Sequence, residues 1–88
     1  MKSIHLSAYR QFQSDLAELR QSVGLTQAAL AKKLGRPQSY VSKVEAGDRR
    51  IDVVEYVQLI QAIGTDPEPL IGKLAALLKN SRNRHILA

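Results

Sequence analysis

Residues 38–45 carry the polar side chains of this chain that are best suited to binding chemistry. At about 100° per residue, their polar and apolar members fall on opposite sides of a helix. The polar side consists of Gln38, Ser39, Ser42 and Lys43, and the apolar side of Tyr40, Val41 and Val44. Amide side chains can form hydrogen bonds with adenine edges, and hydroxyls can form them with several partners. An ammonium group can bind guanine acceptors or phosphate. The pattern favours a base-reading surface, with a merely solvated helix face as the alternative.

Two short helices joined by a tight turn are predicted to position this surface. Thr26 can cap the first helix, because its hydroxyl can accept a hydrogen bond from a free N–H of the first turn. Leu30 and Leu34 form an apolar stripe. Gly35 can end that helix in a left-handed conformation, and Pro37 suits the first turn of the next one.

The stretch 27–45 resembles the helix-turn-helix of the Cro and phage-repressor type, often called the XRE family. The residues that carry the resemblance are Gln27, Ala31, Gly35, Val41 and Val44, within Leu25-Thr26-Gln27 and Val44-Glu45-Ala46-Gly47. The resemblance extends over residues 16–71. It implies an all-α, compact, five-helix lambda-repressor-like domain that binds double-stranded DNA, commonly as a symmetric homodimer.

The resemblance also implies roles for individual residues. Gln38 is expected to be the main base reader, with Ser39, Ser42 and Lys43 beside it. Contacts to the DNA backbone are expected from Thr26, Gln27, Arg36, Tyr40, Arg49 and Arg50. Tyr40 could instead only cover the core. Arg20 and Glu45 are expected to form a structural ion pair that fixes the second helix of the motif.

The charge distribution agrees with a polyanionic partner. The chain has 88 residues and a net charge of +5, which favours binding to nucleic acid. Residues 26–50 contain six cations and two anions, whereas residues 51–72 contain four anions and no cation. The basic part therefore coincides with the predicted helix-turn-helix.

The composition argues against several other classes of protein. The chain has no cysteine, which excludes disulfides and thiolate metal sites and fits a cytoplasmic location. It shows no membrane span and no signal peptide. His5 and His85 lie near opposite ends, and no catalytic or phosphate-binding motif occurs. We therefore expect no enzymatic activity, no cofactor and no metal.

Helical patterns outside the motif predict three more helices. Residues 1–7 are expected to be flexible, with Ser7 capping a first helix that starts at Ala8. A helix-turn-helix DNA-binding domain is expected over residues 8–79, and residues 80–88 are expected to form a flexible basic tail. The fourth helix is expected to begin after Asp52, which is three residues before Glu55, as in a capping box. It is expected to bury Val53, Tyr56, Val57, Ile60 and Ile63.

The fifth helix is predicted over residues 67–79 and has a wide apolar stripe. Its members are Leu70, Ile71, Leu74, Leu77 and Leu78. The stripe could simply close the core, or it could pair with a second copy of the chain. We expect a dimeric repressor that reads a palindromic operator. An antitoxin-type module that binds a partner protein and regulates its own operon is the alternative.

Overall fold

Five α-helices make up the computed structural model, which describes the backbone of residues 2–87 and the side chains of residues 7–80. The helices are α1 (Lys2–Ser22), α2 (Gln27–Leu34), α3 (Gln38–Ala46), α4 (Val53–Ile63) and α5 (Glu68–Leu87). The described residues contain no strand. The predicted all-α, five-helix architecture is confirmed.

Helix α4 contributes buried residues to both apolar clusters of the core. Leu59 and Ile63 face α2 and α3, where they meet Leu30, Ala31, Tyr40, Val41 and Val44. Tyr56 and Ile60 face the other way and pack with Phe12, Leu16 and Leu70 of α1 and α5. The helix-turn-helix therefore rests on one side of α4, and the two long helices rest on the other.

Helices α1 and α5 run antiparallel. Ser22 at the end of α1 lines the same surface pocket as Thr65, which precedes α5, whereas Asp15, two turns earlier, lies 3.2 Å from the Lys73 ammonium. Leu70 is only 6% exposed, so this member of the apolar stripe closes the core and offers little surface to a second copy.

The predicted ends of the two long helices are wrong. Helix α1 starts at Lys2, which places Ser7 inside the helix rather than at its N-cap. Helix α5 runs on to Leu87 instead of ending at Lys79. Neither extension contains glycine or proline, and propagating a helix adds a hydrogen bond per residue. The side chains of residues 1–6 and 81–88, and thus the expected basic character of the tail, lie outside the described residues.

The predicted turns around α2 are confirmed. The Thr26 hydroxyl accepts a hydrogen bond of 3.0 Å from the Ala29 N–H, and Gly35 ends α2 at φ +67°. The position predicted for Pro37 is wrong by one residue. Pro37 lies at the N-cap of α3 rather than in its first turn, and it contributes no side-chain cap.

One apolar residue of α4 does not lie on the predicted side of the helix. Val53 is 70% exposed, although its spacing predicted a buried position. Ile51, two residues before α4 begins, is partly buried and packs against both clusters. Leu59, which the pattern missed, supplies a buried contact instead.

No helix among the described residues is both long and apolar enough to cross a membrane.

Candidate nucleic-acid interface

Helix α3 separates its polar and apolar residues as predicted. The polar members, all exposed, are Gln38, Ser39, Ser42 and Lys43. Tyr40, Val41 and Val44 are at most 7% exposed and hold the opposite side of the helix against α2 and α4. The helix therefore presents one amide, two hydroxyls and one ammonium on a single surface.

Arg20 of α1 anchors the C-terminal end of α3. Its Nε donates to Glu45 Oε2 at 2.6 Å, and its Nη2 donates to Oε1 at 3.0 Å. The remaining Nη1 donates to the Leu25 carbonyl at 2.7 Å. Both side chains are about nine-tenths buried, and the hydrogen bond with Glu45 raises the pKa of Arg20. The two residues expected to pair thus form a two-point, largely dry ion pair.

Gln27 joins this pair instead of pointing away from it. Its Nε2 donates to Glu45 Oε1 at 2.9 Å, and the residue is half-buried at the start of α2. Glu45 therefore accepts hydrogen bonds from two different helices. In this arrangement the first residue of α2 is tied to the last turn of α3.

Gln13 is a further anchor that the sequence did not reveal. It is buried, and its Nε2 makes long hydrogen bonds to the carbonyls of Val44 (3.5 Å) and Glu45 (3.4 Å). A Cβ at Gly47, where φ is +86°, would come within 2.7 Å of that Nε2. One signal could have pointed to this role: Gln13 lies two turns before Arg20, on the same face of α1.

A different group of side chains lies around Tyr40, on the side of α3 that faces α4. We call Arg36, Tyr40, Arg49 and Glu55 the Glu55 cluster. The guanidinium carbons of Arg36 and Arg49 lie 4.2 and 4.9 Å from the centre of the Tyr40 ring. Arg49 forms a two-point pair with Glu55, at 3.2 Å to Oε1 and 3.0 Å to Oε2. Arg36 Nη2 lies 3.7 Å from Oε2.

This cluster perturbs the titration of two of its members. The hydrogen bond from the Asp52 backbone N–H, followed by that from Arg49, lowers the pKa of Glu55. Burial raises the pKa of Tyr40, and the nearby Glu55 carboxylate raises it further. Glu55 is thus held as a carboxylate and Tyr40 as a neutral phenol at neutral pH.

Tyr40 and the two loop arginines occupy different surroundings. Tyr40 is 7% exposed and belongs to the core, with arginines covering its ring. Arg49 turns toward Tyr40, whereas Arg50 turns back to α1 and lies 4.7 Å from the centre of the Tyr9 ring. The sequence pair Arg49-Arg50 therefore does not form one patch.

Metal-binding chemistry has no basis in the described part of the chain, where no three histidine or acidic side chains come close enough to hold an ion.

Comparisons with known proteins agree with this geometry. A family model described as a helix-turn-helix domain matches residues 14–70. A relative from Sinorhizobium fredii, named "Uncharacterized HTH-type transcriptional regulator y4dJ", is 36% identical over 58 residues, which are 66% of this chain and 75% of that protein.

A solved structure from Pseudomonas syringae is similar over most of the fold. It is titled "XRE-family like protein" and superposes with a TM-score of 0.82 at 47% identity, covering 86% of this chain and 93% of its own. The family match spans the buried Arg20–Glu45 pair and the exposed face of α3 together. The chain belongs to the XRE-type helix-turn-helix family of DNA-binding transcription regulators.

Proposed function

We propose that this regulator is a dimeric repressor that reads a palindromic operator, with α3 in the major groove of each half-site. The observation that carries the proposal is the exposed polar side of α3 on a helix whose other side and C-terminal end are buried. A reading helix must be held rigidly, because base contacts depend on its register in the groove. Gln38, at the first position of α3, is the main base reader.

Contacts to the DNA backbone are assigned to residues at the two helix N-termini and in the α3–α4 loop. The first N–H groups of α2 and the helix dipole favour a phosphate near Gln27. Thr26 is exposed beside it. Arg36, Arg49 and Arg50 supply positive charge on either side of α3. Tyr40 is proposed to act beneath the arginines rather than by itself.

Dimerisation is assigned to the part of α5 that the core leaves accessible. Ile71 is 41% exposed, and Leu74, Leu77 and Leu78 are half-buried. Leu70 is left out because its side chain is already covered. Two copies joined here would present two α3 helices to successive half-sites of a palindrome, about one turn of DNA apart.

Selection from a random duplex pool tests this function. The full chain should enrich one palindromic sequence at near-physiological salt, and it should bind that duplex as two copies per site. Placing this duplex across a promoter should then lower transcription when the protein is added.

Other outcomes would redirect the proposal. Enrichment of a single half-site by one copy would remove the dimer but keep the reading helix. Binding that is weak, strongly salt-dependent and without enrichment would show that the isolated chain does not read sequence. An antitoxin-type role with a protein partner would then take first place.

A further inference from the structure

Glu55 makes more contacts than a helix cap requires. Its Oε1 accepts the Asp52 backbone N–H at 3.0 Å, which completes the capping box of α4. The same carboxylate pairs with Arg49 through both oxygens and approaches Arg36. The Glu55 side chain is only 12% exposed, so the carboxylate is fixed by α4 on one side and by two arginines on the other.

The two arginines keep capacity for a further anion. Their side chains are 39% and 40% exposed, compared with 12% for the carboxylate that holds them. A guanidinium has five N–H donors, and Arg49 uses three, toward Glu55 and the Arg50 carbonyl. With two arginines and one carboxylate, the cluster has a net charge of +1. Its open side therefore suits a phosphate.

We propose that Glu55 is a positioning residue, which holds Arg36 and Arg49 on Tyr40 as a preformed clamp for a DNA phosphate. Glu55 itself touches no DNA and acts through the arginines. The inference rests on the DNA-binding role of this surface, and it adds a residue that the sequence marks only as a helix cap.

The physical reason for such a device is the flexibility of arginine. Ordering a long side chain at an interface reduces affinity by roughly 2- to 12-fold. In this structure the two-point pair with Glu55 and the contact with the Tyr40 ring fix the Arg49 guanidinium before DNA arrives. Arg36 is held over the same ring and by its 3.7 Å contact with Glu55. Binding then needs less ordering, although the carboxylate adds a negative charge close to the phosphate.

Glu55→Gln is the central variant. Glutamine keeps the shape and an oxygen that can accept the Asp52 N–H, but it loses the charge that holds the arginines. Glu18→Gln is the matched control, because Glu18 is exposed on α1 and lies in no ion pair among the described side chains. Both variants raise the net charge of the protein by the same amount.

The probes are a mixed-sequence 30-base-pair duplex and any duplex enriched by the selection above. Glu55→Gln should bind each about tenfold more weakly than the wild-type protein, with the salt slope retained, because both arginines still reach phosphate after ordering. In an Arg36→Ala/Arg49→Ala background the slope should fall by about 0.9 for each lost phosphate contact. Adding Glu55→Gln to that background should change nothing further.

Two results would overturn the positioning role. Tighter binding by Glu55→Gln than by Glu18→Gln would mean that Glu55 only masks positive charge. If Glu55→Gln weakened DNA binding as much in the Arg36→Ala/Arg49→Ala background as in the wild-type protein, Glu55 would act through the fold rather than through the arginines. Since the mixed-sequence duplex requires no sequence reading, either result stands apart from a failure of the selection.

A second variant keeps the test decisive if Glu55→Gln unfolds. Arg36→Lys/Arg49→Lys preserves both charges and leaves the capping box intact, but lysine cannot form the two-point pair or stack as a plane. This variant should also bind the mixed-sequence duplex about tenfold more weakly at an unchanged melting temperature. Wild-type affinity would show that charge alone suffices and would refute the clamp.

Discussion

The two ends of α3 are built in opposite ways. At the C-terminal end, Glu45 is locked by Arg20 and Gln27, and Gln13 bonds the last carbonyls. At the N-terminal end, Pro37 supplies no side-chain cap, and Gln38 is exposed.

This difference shows how a nine-residue helix can be both rigid and accessible. An isolated helix of this length is unstable in water, so tertiary contacts must hold it. Here those contacts are concentrated at the end and on the side that face the protein. At the N-terminal end, which we call the open end, the Tyr40 N–H already bonds the Pro37 carbonyl. The N–H groups of Gln38 and Ser39, at the positive end of the helix dipole, remain available to an anion.

Removing the ion pair at the C-terminal end of α3, which we call the closed end, should have the largest effect on stability. Arg20→Ala leaves the Glu45 carboxylate largely buried with only Gln27 as a side-chain partner, and we expect a loss of about 3–5 kcal/mol in the free energy of unfolding. Glu45→Ala should cost a similar amount. The double variant should lose less stability than the sum of the two single losses. Urea denaturation of the wild-type protein, the two single variants and the double variant measures this. Strict additivity would show that the pair does not act as a unit.

Two glycines allow the turns on either side of α3 to be compared, because Gly35 ends α2 just before α3 and Gly47 ends α3 itself. Gly47→Ala should lose about 1–2 kcal/mol of stability to backbone strain, and about 1 kcal/mol more from displacing the Gln13 amide. Gly35→Ala has the same kind of strain at φ +67° but nothing within 4 Å of the new Cβ. Gly35→Ala should therefore lose only the roughly 1–2 kcal/mol that comes from backbone strain.

A Gln13→Ala background sharpens this comparison. There the two glycine substitutions should become equally costly in thermal denaturation, because the added methyl group at position 47 no longer meets an amide. A persistent difference would place the cost in the backbone of the α3–α4 loop instead.

At the open end we expect a change in DNA recognition without a change in stability. Gln38→Ala should cost about 1–3 kcal/mol of binding to the selected duplex and relax the preference at one base pair. Its melting temperature should match that of the wild-type protein because Gln38 is exposed. An equal loss on selected and random duplexes would remove Gln38 from the base-reading set.

The sequence predicted the parts of the site that depend on local rules or on a long motif. Thr26 and Gly35 lie within one turn of the groups they satisfy, so their residue types suffice. The Arg20–Glu45 pair spans 25 residues, and only the family resemblance pointed to it.

Contacts that depend on how remote elements meet were missed. Gln13 reaches a carbonyl 31 residues away, and an amide on a helix carries no sign of such a partner. The spacing of Asp52 and Glu55 predicts the capping box that the structure shows. The arginine contacts of Glu55, however, depend on the path of the α3–α4 loop, which brings Arg49 back over Tyr40.

Adding a side-chain cap at position 37, at the open end, should have a smaller effect on stability. Pro37 has φ −64° and ψ 151°, a conformation that serine also adopts. Pro37→Ser should be more stable than Pro37→Ala by about 0.5–2 kcal/mol, because its hydroxyl can bond a first-turn N–H. The same hydroxyl would compete with a phosphate for that N–H. Equal melting temperatures of the two variants would show that the end gains nothing from a cap.

The pH dependence of stability that Glu55 causes should be the smallest effect. The pKa of Glu55 is lowered from the ordinary 4.5 in the folded chain, so its ionisation stabilises the protein fully above that value. The contribution is lost as pH falls through the lowered pKa. The melting-temperature difference between the wild-type protein and Glu55→Gln should therefore be constant near neutrality and shrink below pH 4.5. A difference that persists in stronger acid would show that Glu55 stabilises α4 by shape rather than by charge.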